Sequence, residues 1–325
     1  MHILINGWFV DQLTSGSGQY IHHLLTHLSQ QAQEVRFSVL IPVRRGAPEP
    51  TALRERVERA LNDSRCTVDV IPWSLLPLPR TLAKVWWEQV CVPQAAVRRR
   101  ADLVWIPYWA APLWQPVPNV VTVHDIIPLL LPGYRGGFGP RLYTALVRHT
   151  AQRAAAIITV SHASARDIAQ HLHVSPARVH VVHHGPNFDP SHPLTPDALD
   201  DVGAKYALPD RFFLYLGGFD RRKNVRTILR AYRRYLDRGG DPTIRLVIAG
   251  RLPQRNTDFT PHPQQIAAEL NLTEQVRFCG WIDEADKAAL YALSTAFVFP
   301  STYEGFGMMV LEAMSAGAPV ITSAE

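Results

Sequence analysis

The sequence predicts an α/β protein with two parallel-sheet domains in series, and three observations carry that reading. Short apolar runs alternate with helical periodicities along most of the chain, the pattern of strands joined by helical crossovers. The alternation breaks once, at residues 185–210, where five prolines and several aspartates gather. The length, 325 residues, suits two domains of roughly 100–200 residues each.

The elements follow in order. His2–Asn6 is a short apolar strand. A Gly-rich turn, Ser15-Gly16-Ser17-Gly18, leads into a helical pattern over Tyr20–Leu28. Phe37–Pro42 and Val68–Pro72 read as strands around a polar stretch with a helical run at Leu53–Leu61. Leu82–Val97 reads as a helix that Pro93 interrupts or ends. Leu103–Ile106, Val120–Val123, Ala156–Val160 and Val179–Val182 are further strands. The second series has strands at Phe212–Leu216, Ile244–Ala249, Val276–Phe278, Phe297–Pro300 and Val320–Thr322. The expected division is therefore a first domain over 1–186, a linker over 187–210 and a second domain over 211–325.

Composition narrows the function classes. Hydrophobic residues make up 47% and charged residues 19%, enough to build a sizeable core. No apolar run reaches the ~18 residues that a membrane span needs. The N-terminus, MHILINGWFV, lacks the charged start and small-residue cleavage site of a signal peptide and reads as the first strand. Cys66, Cys91 and Cys279 lie too far apart for a disulfide framework or a metal motif, and a cytoplasmic location is expected. The net charge of +5 calls for an anionic partner. No aromatic–basic nucleic-acid motif accompanies it, so nucleic acid is not expected. A phosphate-rich substrate or an anionic membrane surface suits the balance better.

The most informative stretch is FPSTYEGFGMMVLEAMSAGAPVIT, residues 299–322. An apolar strand enters a Gly-Phe-Gly turn, and a helix is expected to start near Met308. Gly305 and Gly307 let the backbone approach a ligand, and helix-start N–H groups favour phosphate. Glu304 and Glu312 would repel phosphate but suit hydroxyl groups, so the implied ligand is a sugar joined to a diphosphate. Spacing alone also fits an ordinary βα turn with two solvated glutamates.

The run E-G-F-G-x-x-x-L-E-A-M-x-x-G-x-P-V resembles the donor-site signature of the retaining family 4 glycosyltransferases. These have the GT-B fold, two facing Rossmann-like domains with a cleft between them. The resemblance implies that Glu304 meets the transferred sugar and Glu312 the nucleotide ribose. It places the diphosphate on the backbone around Gly305, Phe306, Gly307, Met308 and Met309. Residues 213–232, FLYLGGFDRRKNVRTILRAY, resemble the family's donor-phosphate motif, with Arg222 and Lys223 as the matched cations. Arg221 could exchange roles with Arg222, and Gly218 stands where many members carry Arg.

In the first domain, VVTVHDIIP delivers His124 to a strand end, where the family carries a His facing the donor sugar. Gly18 matches the position of a loop that approaches the diphosphate and acceptor, and Tyr20 reads as a packing residue. Ser161 reads as a helix cap. His183 and His184 point to opposite faces of a strand and do not make a metal site.

The Lys84–Trp87 stretch, with Trp105, Trp109 and Trp114, would suit an aromatic sugar-acceptor groove. The helix over 81–100 ends in Arg98-Arg99-Arg100, which suits either anionic lipid head groups or a solvated basic end. The segments W-E-Q-x-x-x-P and D-L-x-W-x-P resemble the mannosyltransferase-like branch and point to GDP-mannose.

The implied activity is transfer of a sugar from a GDP- or UDP-linked donor to a glycan or lipid-linked glycan in polysaccharide biosynthesis. No metal and no separate cofactor are expected. Other readings of the same residues are a GT-B nucleotide-sugar epimerase and a non-catalytic binding module. Family members run some tens of residues beyond the last strand, so the second domain is expected to be incomplete.

Overall fold

The computed structural model describes residues 1–12, 15–32, 34–43, 50–61, 66–72, 79–109, 111–188 and 194–323. The chain forms two compact units, Met1–His183 and His184–Glu325.

The first unit opens with β1 (His2–Asn6), α1 (Gly16–Gln31), β2 (Arg36–Val43), α2 (Pro50–Leu61) and β3 (Cys66–Pro72). Then come α3 (Arg80–Trp86), a π turn over Trp87–Cys91 and α4 (Val92–Arg98). β4 (Leu103–Ile106), β5 (Asn119–Thr122), α5 (Ile127–Leu130) and α6 (Phe138–Ala151) follow. β6 (Ala156–Thr159), α7 (His162–Leu172) and β7 (Val179–Val181) complete the unit. The strands form one parallel sheet in the order β3-β2-β1-β4-β5-β6-β7. Because strand side chains alternate, β1 sends Leu4 into one buried cluster and Ile5 into the other. Val104 and Trp105 of β4 divide the same way, so helices cover both faces.

The second unit holds α8 (Pro196–Lys205), β8 (Phe212–Leu216), α9 (Val225–Asp237), β9 (Arg245–Ala249) and α10 (Pro263–Glu269). β10 (Val276–Gly280), α11 (Lys287–Leu293), β11 (Ala296–Phe299), α12 (Met308–Ser315) and β12 (Val320–Thr322) follow. Its parallel sheet runs β10-β9-β8-β11-β12. Leu214 and Leu216 of β8 face one cluster and Tyr215 the other. No described helix is long and apolar enough to cross a membrane.

Three local expectations change. The stretch Ser15–Gly18 is not an open turn: Ser15 caps α1 by accepting from the Gly18 N–H at 3.1 Å, and Gly16 already belongs to the helix. Pro93 does not end its helix, and the α pattern is interrupted in the turn before it rather than at the proline itself. The π turn just before it, closed by the Val92 N–H on the Trp87 carbonyl, widens the backbone where a proline would otherwise clash with the preceding turn. The stretch 187–210 is only partly a linker. Thr195 caps α8 with Pro196 in its first turn, and Val202 and Tyr206 pack into the second unit's core. The polar composition hid that helix because it buries one narrow face. Residues 189–193 lie outside the described residues.

Candidate functional site

In the second sheet the chain runs outward from β8 to β9 and β10, then returns to β11 on the other side of β8. Loops that splay apart at such a reversal, beyond the C-terminal strand ends, leave room for a ligand. Here the two loops are residues 217–224 and 300–307.

The first loop is built from close backbone approach. Gly217 N–H donates to the Ala249 carbonyl at 3.1 Å. Gly250, at φ +134°, comes so close to Gly217 that a Cβ on it would stand 2.1 Å from the Gly217 carbonyl oxygen. The Tyr215 hydroxyl donates to the Gly218 carbonyl. The Asp220 carboxylate then accepts from the Arg222 N–H at 3.2 Å and starts a 3-10 turn over Arg221–Lys223. Asn224, left-handed at φ +57°, ends that turn and sends its side-chain amide to the Pro300 carbonyl at 3.3 Å. Thr302 N–H donates to the Arg222 carbonyl at 2.9 Å, so the two loops are stapled together.

The staple sets three charges against one another. Glu304 Oε2 lies 2.5 Å from Arg222 Nη1, and Glu304 Oε1 lies 2.7 Å from Lys223 Nζ. Arg222 Nη1 also donates to the Tyr303 carbonyl at 2.9 Å. Lys223 Nζ stands 4.9 Å over the Phe299 ring. The side chains of Arg222, Lys223 and Glu304 are 12%, 11% and 21% exposed: shielded enough to couple strongly, open enough for an incoming anion to compete. Burial, with the Asp220 and Glu304 charges, pushes the Tyr215 phenol well above its ordinary value.

Gly307, at φ +95°, caps α12, whose first residue is Met308. The positive end of that helix lies beside the charged loops, because Met309 Sδ reaches to within 3.4 Å of where a Cβ on Gly217 would stand. Phe306 meets the His184 ring edge-on at 5.2 Å. In the second turn, Glu312 is only 2% exposed. Its Oε1 accepts from Asn187 Nδ2 at 2.6 Å and its Oε2 from the Tyr291 hydroxyl at 3.0 Å. Burial raises its pKa above the usual carboxylate range, against the opposing pull of Lys287 and both hydrogen bonds.

The structure thus brings Arg222, Lys223 and Glu304 into direct contact, with Gly305–Met309 following and Glu312 further along the same helix. His124 and Gly18 belong to the first unit. His124 follows β5, half-buried, with its ring edge-on to Tyr20 at 4.7 Å. Gly18 has an internal reason to be glycine: a Cβ would stand 2.1 Å from the Gln12 carbonyl oxygen. Sequence reasoning passed over Gly250, Asn187 as a partner of Glu312, and Tyr291. Gly250 had a signal, a glycine directly ending an apolar strand. Tyr291 had none, since an aromatic on a core-facing helix position reads as packing. Among the described residues no group of three or more His, Cys, Asp or Glu side chains is arranged to hold a metal ion.

Comparison with known proteins matches residues 14–189 to the family described as "Glycosyltransferase Family 4" and residues 204–325 to "Glycosyl transferases group 1". The chain belongs to glycosyltransferase family 4. It is 30% identical over 221 residues to the serotype-specific mannosyltransferase WbdA of Escherichia coli, a match covering 64% of this chain and 25% of WbdA. It is 30% identical over 205 residues to the O-antigen chain mannosyltransferase B of Escherichia coli, covering 63% of this chain and 52% of that protein. The chain therefore matches about half, or less, of the length of these family 4 relatives. Among solved structures it is similar to Anabaena HepE in complex with UDP and glucose, with a TM-score of 0.66 at 18% identity, covering 99% of this chain and 80% of that one. A glycosyltransferase from Rickettsia africae gives a TM-score of 0.67 at 16% identity, covering 99% and 78%. At these identities the likeness speaks for the fold, which is GT-B.

Proposed function

We propose that this family 4 chain is a retaining glycosyltransferase that moves a sugar, mannose in the first instance, from a nucleotide diphosphate sugar to a glycan or lipid-linked glycan acceptor in polysaccharide biosynthesis. The observation that carries the proposal is the Arg222–Glu304–Lys223 cluster beside the start of α12, at the reversal point of the second sheet. The names of the mannosyltransferase relatives support the sugar, and the UDP complex of HepE supports a nucleotide-linked donor. GDP is the nucleotide to which the W-E-Q-x-x-x-P and D-L-x-W-x-P segments point, with UDP, the nucleotide of the HepE complex, the alternative.

In this reading the donor diphosphate displaces the Glu304 carboxylate from Arg222 and Lys223. Glu304 then turns to the sugar hydroxyls, while Glu312, oriented by Asn187 and Tyr291, accepts from the ribose. The backbone N–H groups at Gly305–Met309 face the diphosphate, and His124 faces the donor sugar. The bond from the anomeric carbon to the diphosphate oxygen breaks, and the acceptor oxygen joins the same face of the sugar. The acceptor proton passes to the departing phosphate oxygen. Arg222, Lys223 and the helix start stabilise the charge that develops there. These cations take the part a metal would otherwise play, so no metal or separate cofactor is required. Work at the inner face of an anionic membrane is part of the proposal.

The test is calorimetric titration with GDP- and UDP-sugars, followed by product analysis of the anomeric configuration with and without EDTA. Lys223→Ala should keep the melting temperature and reduce turnover by about 30- to 1,000-fold, as loss of one phosphate contact does in such sites. Near-wild-type turnover in that variant, or inversion of the product, overturns the reading. Loss of activity in EDTA that magnesium or manganese restores overturns the metal-free part.

A further inference from the structure

α6 is poorly covered by the first unit's core. Phe138 is 83% exposed and Leu142 62%. With Ala145 and His149, also exposed, they fall at helical positions i, i+4, i+7 and i+11, a single outward stripe. The stripe does not stand alone. Lys84 on α3 donates to the Tyr143 hydroxyl of α6 at 2.5 Å, and that hydroxyl donates to Glu88 at 3.0 Å. The helix held in this way exposes Trp86 as well. Gln89 accepts from Leu113 N–H at 2.8 Å, and Gln115 donates to the Thr150 carbonyl at 3.3 Å. The segment between them exposes Trp114. Three elements cross-linked by named hydrogen bonds thus each present large apolar side chains to solvent.

The charge around them has one sign. Arg135, Arg141 and Arg148 line a groove of about 190 Å³ with Pro128, Leu129 and Thr144. None of the three arginines forms an ion pair among the described residues. The sequence carries no Asp or Glu between Asp125 and Asp167. Residues 1–183 hold 18 Lys and Arg against 11 Asp and Glu, whereas residues 184–325 hold 15 against 17, so the excess charge belongs to the first unit. The Arg98–Arg100 run, which the sequence offered to lipid, is partly neutralised by an Arg99–Asp69 pair at 2.6 Å.

We propose that this face of α6 docks on an anionic phospholipid bilayer. The arginine groove takes a lipid phosphate, and Phe138 and Leu142 enter the head-group boundary. Arginines without an ion pair call for an anionic partner, and the apolar stripe next to them calls for one with an apolar side as well. The inference rests on the proposed transfer to a lipid-linked acceptor only for its purpose. The binding itself requires neither donor nor acceptor.

The experiment is flotation of the full chain with vesicles of phosphatidylglycerol mixed with phosphatidylcholine, and with phosphatidylcholine alone. The wild type should float with the anionic vesicles only, and less as salt rises. R141Q/R148Q and F138S/L142S should each lower the bound fraction about tenfold or more with unchanged melting temperatures, since Phe138, Arg141 and Leu142 are exposed and the half-buried Arg148 has no ion pair among the described residues to lose. Nucleotide titration of the same variants should be unaltered, which separates failure of this surface from failure of the donor site. No flotation of the wild type, equal flotation with neutral vesicles, or full flotation of both double variants overturns the inference. So does a dimer in sedimentation velocity that F138S/L142S dissolves, because the face would then pair with a second copy.

Discussion

Each unit has a reversal point in its sheet, and the two are used differently. In the second unit the gap between β8 and β11 carries opposed charges on two stapled loops. In the first unit the equivalent gap lies between β1 and β4, and the chain fills it with its own side chains. Trp87 Nε1 donates to Asn6 Oδ1 at 2.8 Å, and Phe9 meets Tyr108 edge-on at 4.8 Å. Lys84 Nζ stands over the Tyr108 and Tyr143 rings at 4.9 and 4.6 Å and pairs with the buried Glu88 at 2.5 Å. The same topology thus yields a stopped site and an open one. The difference is where the charges sit. Glu88 is sealed, and burial pushes its pKa up despite Lys84, whereas the cations paired with Glu304 stay open to a competing anion.

The comparison breaks most sharply at Lys84. Lys84→Ala leaves Glu88 buried without its cation and should cost the first unit about 3 kcal/mol or more. Thermal unfolding should show the loss while nucleotide affinity stays unchanged; the double replacement K84M/E88Q should recover most of it. A large fall in nucleotide affinity in K84A would mean that the filled gap is not merely structural.

Next in size is the backbone contact under the open site. Gly250→Ala forces a methyl against the Gly217 carbonyl and should destabilise the second unit by about 2 kcal/mol. Gly16→Ala, where a Cβ meets nothing within 4 Å, is the matched control and should be neutral. Equal melting temperatures for the two variants would remove the close approach from the account.

Glu304→Gln sharpens the open site. It removes the carboxylate that competes with phosphate, so the free nucleotide diphosphate should bind as well or several-fold tighter, while turnover falls. Weaker nucleotide binding in this variant would show that Glu304 positions Arg222 and Lys223 rather than competing for them.

The smallest effect concerns pH. Glu312 has a raised pKa in the folded chain, so the native state holds that proton more tightly than the unfolded state does. Its contribution to stability is fully present below the ordinary carboxylate pKa and is lost as pH rises through the raised native value. Denaturation midpoints from acid to neutral pH should therefore fall more in the wild type than in Glu312→Gln, by about 1 kcal/mol. A steeper fall in the variant would reverse the sign.

What the sequence determined by itself was local. Alternating apolar runs placed every strand to within a residue or two, because burial on both sheet faces leaves a short apolar run. Motifs read along single loops marked Arg222, Lys223, Glu304 and Gly307, because a strand, a turn and a helix start follow one another in the sequence. The tertiary structure decided which charges meet. Glu304 and Lys223 lie 81 residues apart, and Glu312 and Asn187 lie 125 apart, so no local pattern relates them. It also decided that α8 is a helix in a stretch that reads as linker, and that Pro93 follows a π turn. Both depend on packing against other elements: one narrow buried face in α8, and the Trp87–Asn6 contact that anchors the π turn. Gly250 completes the division, since it is glycine because the distant Gly217 carbonyl passes too close for any side chain, and only the folded chain brings that carbonyl there.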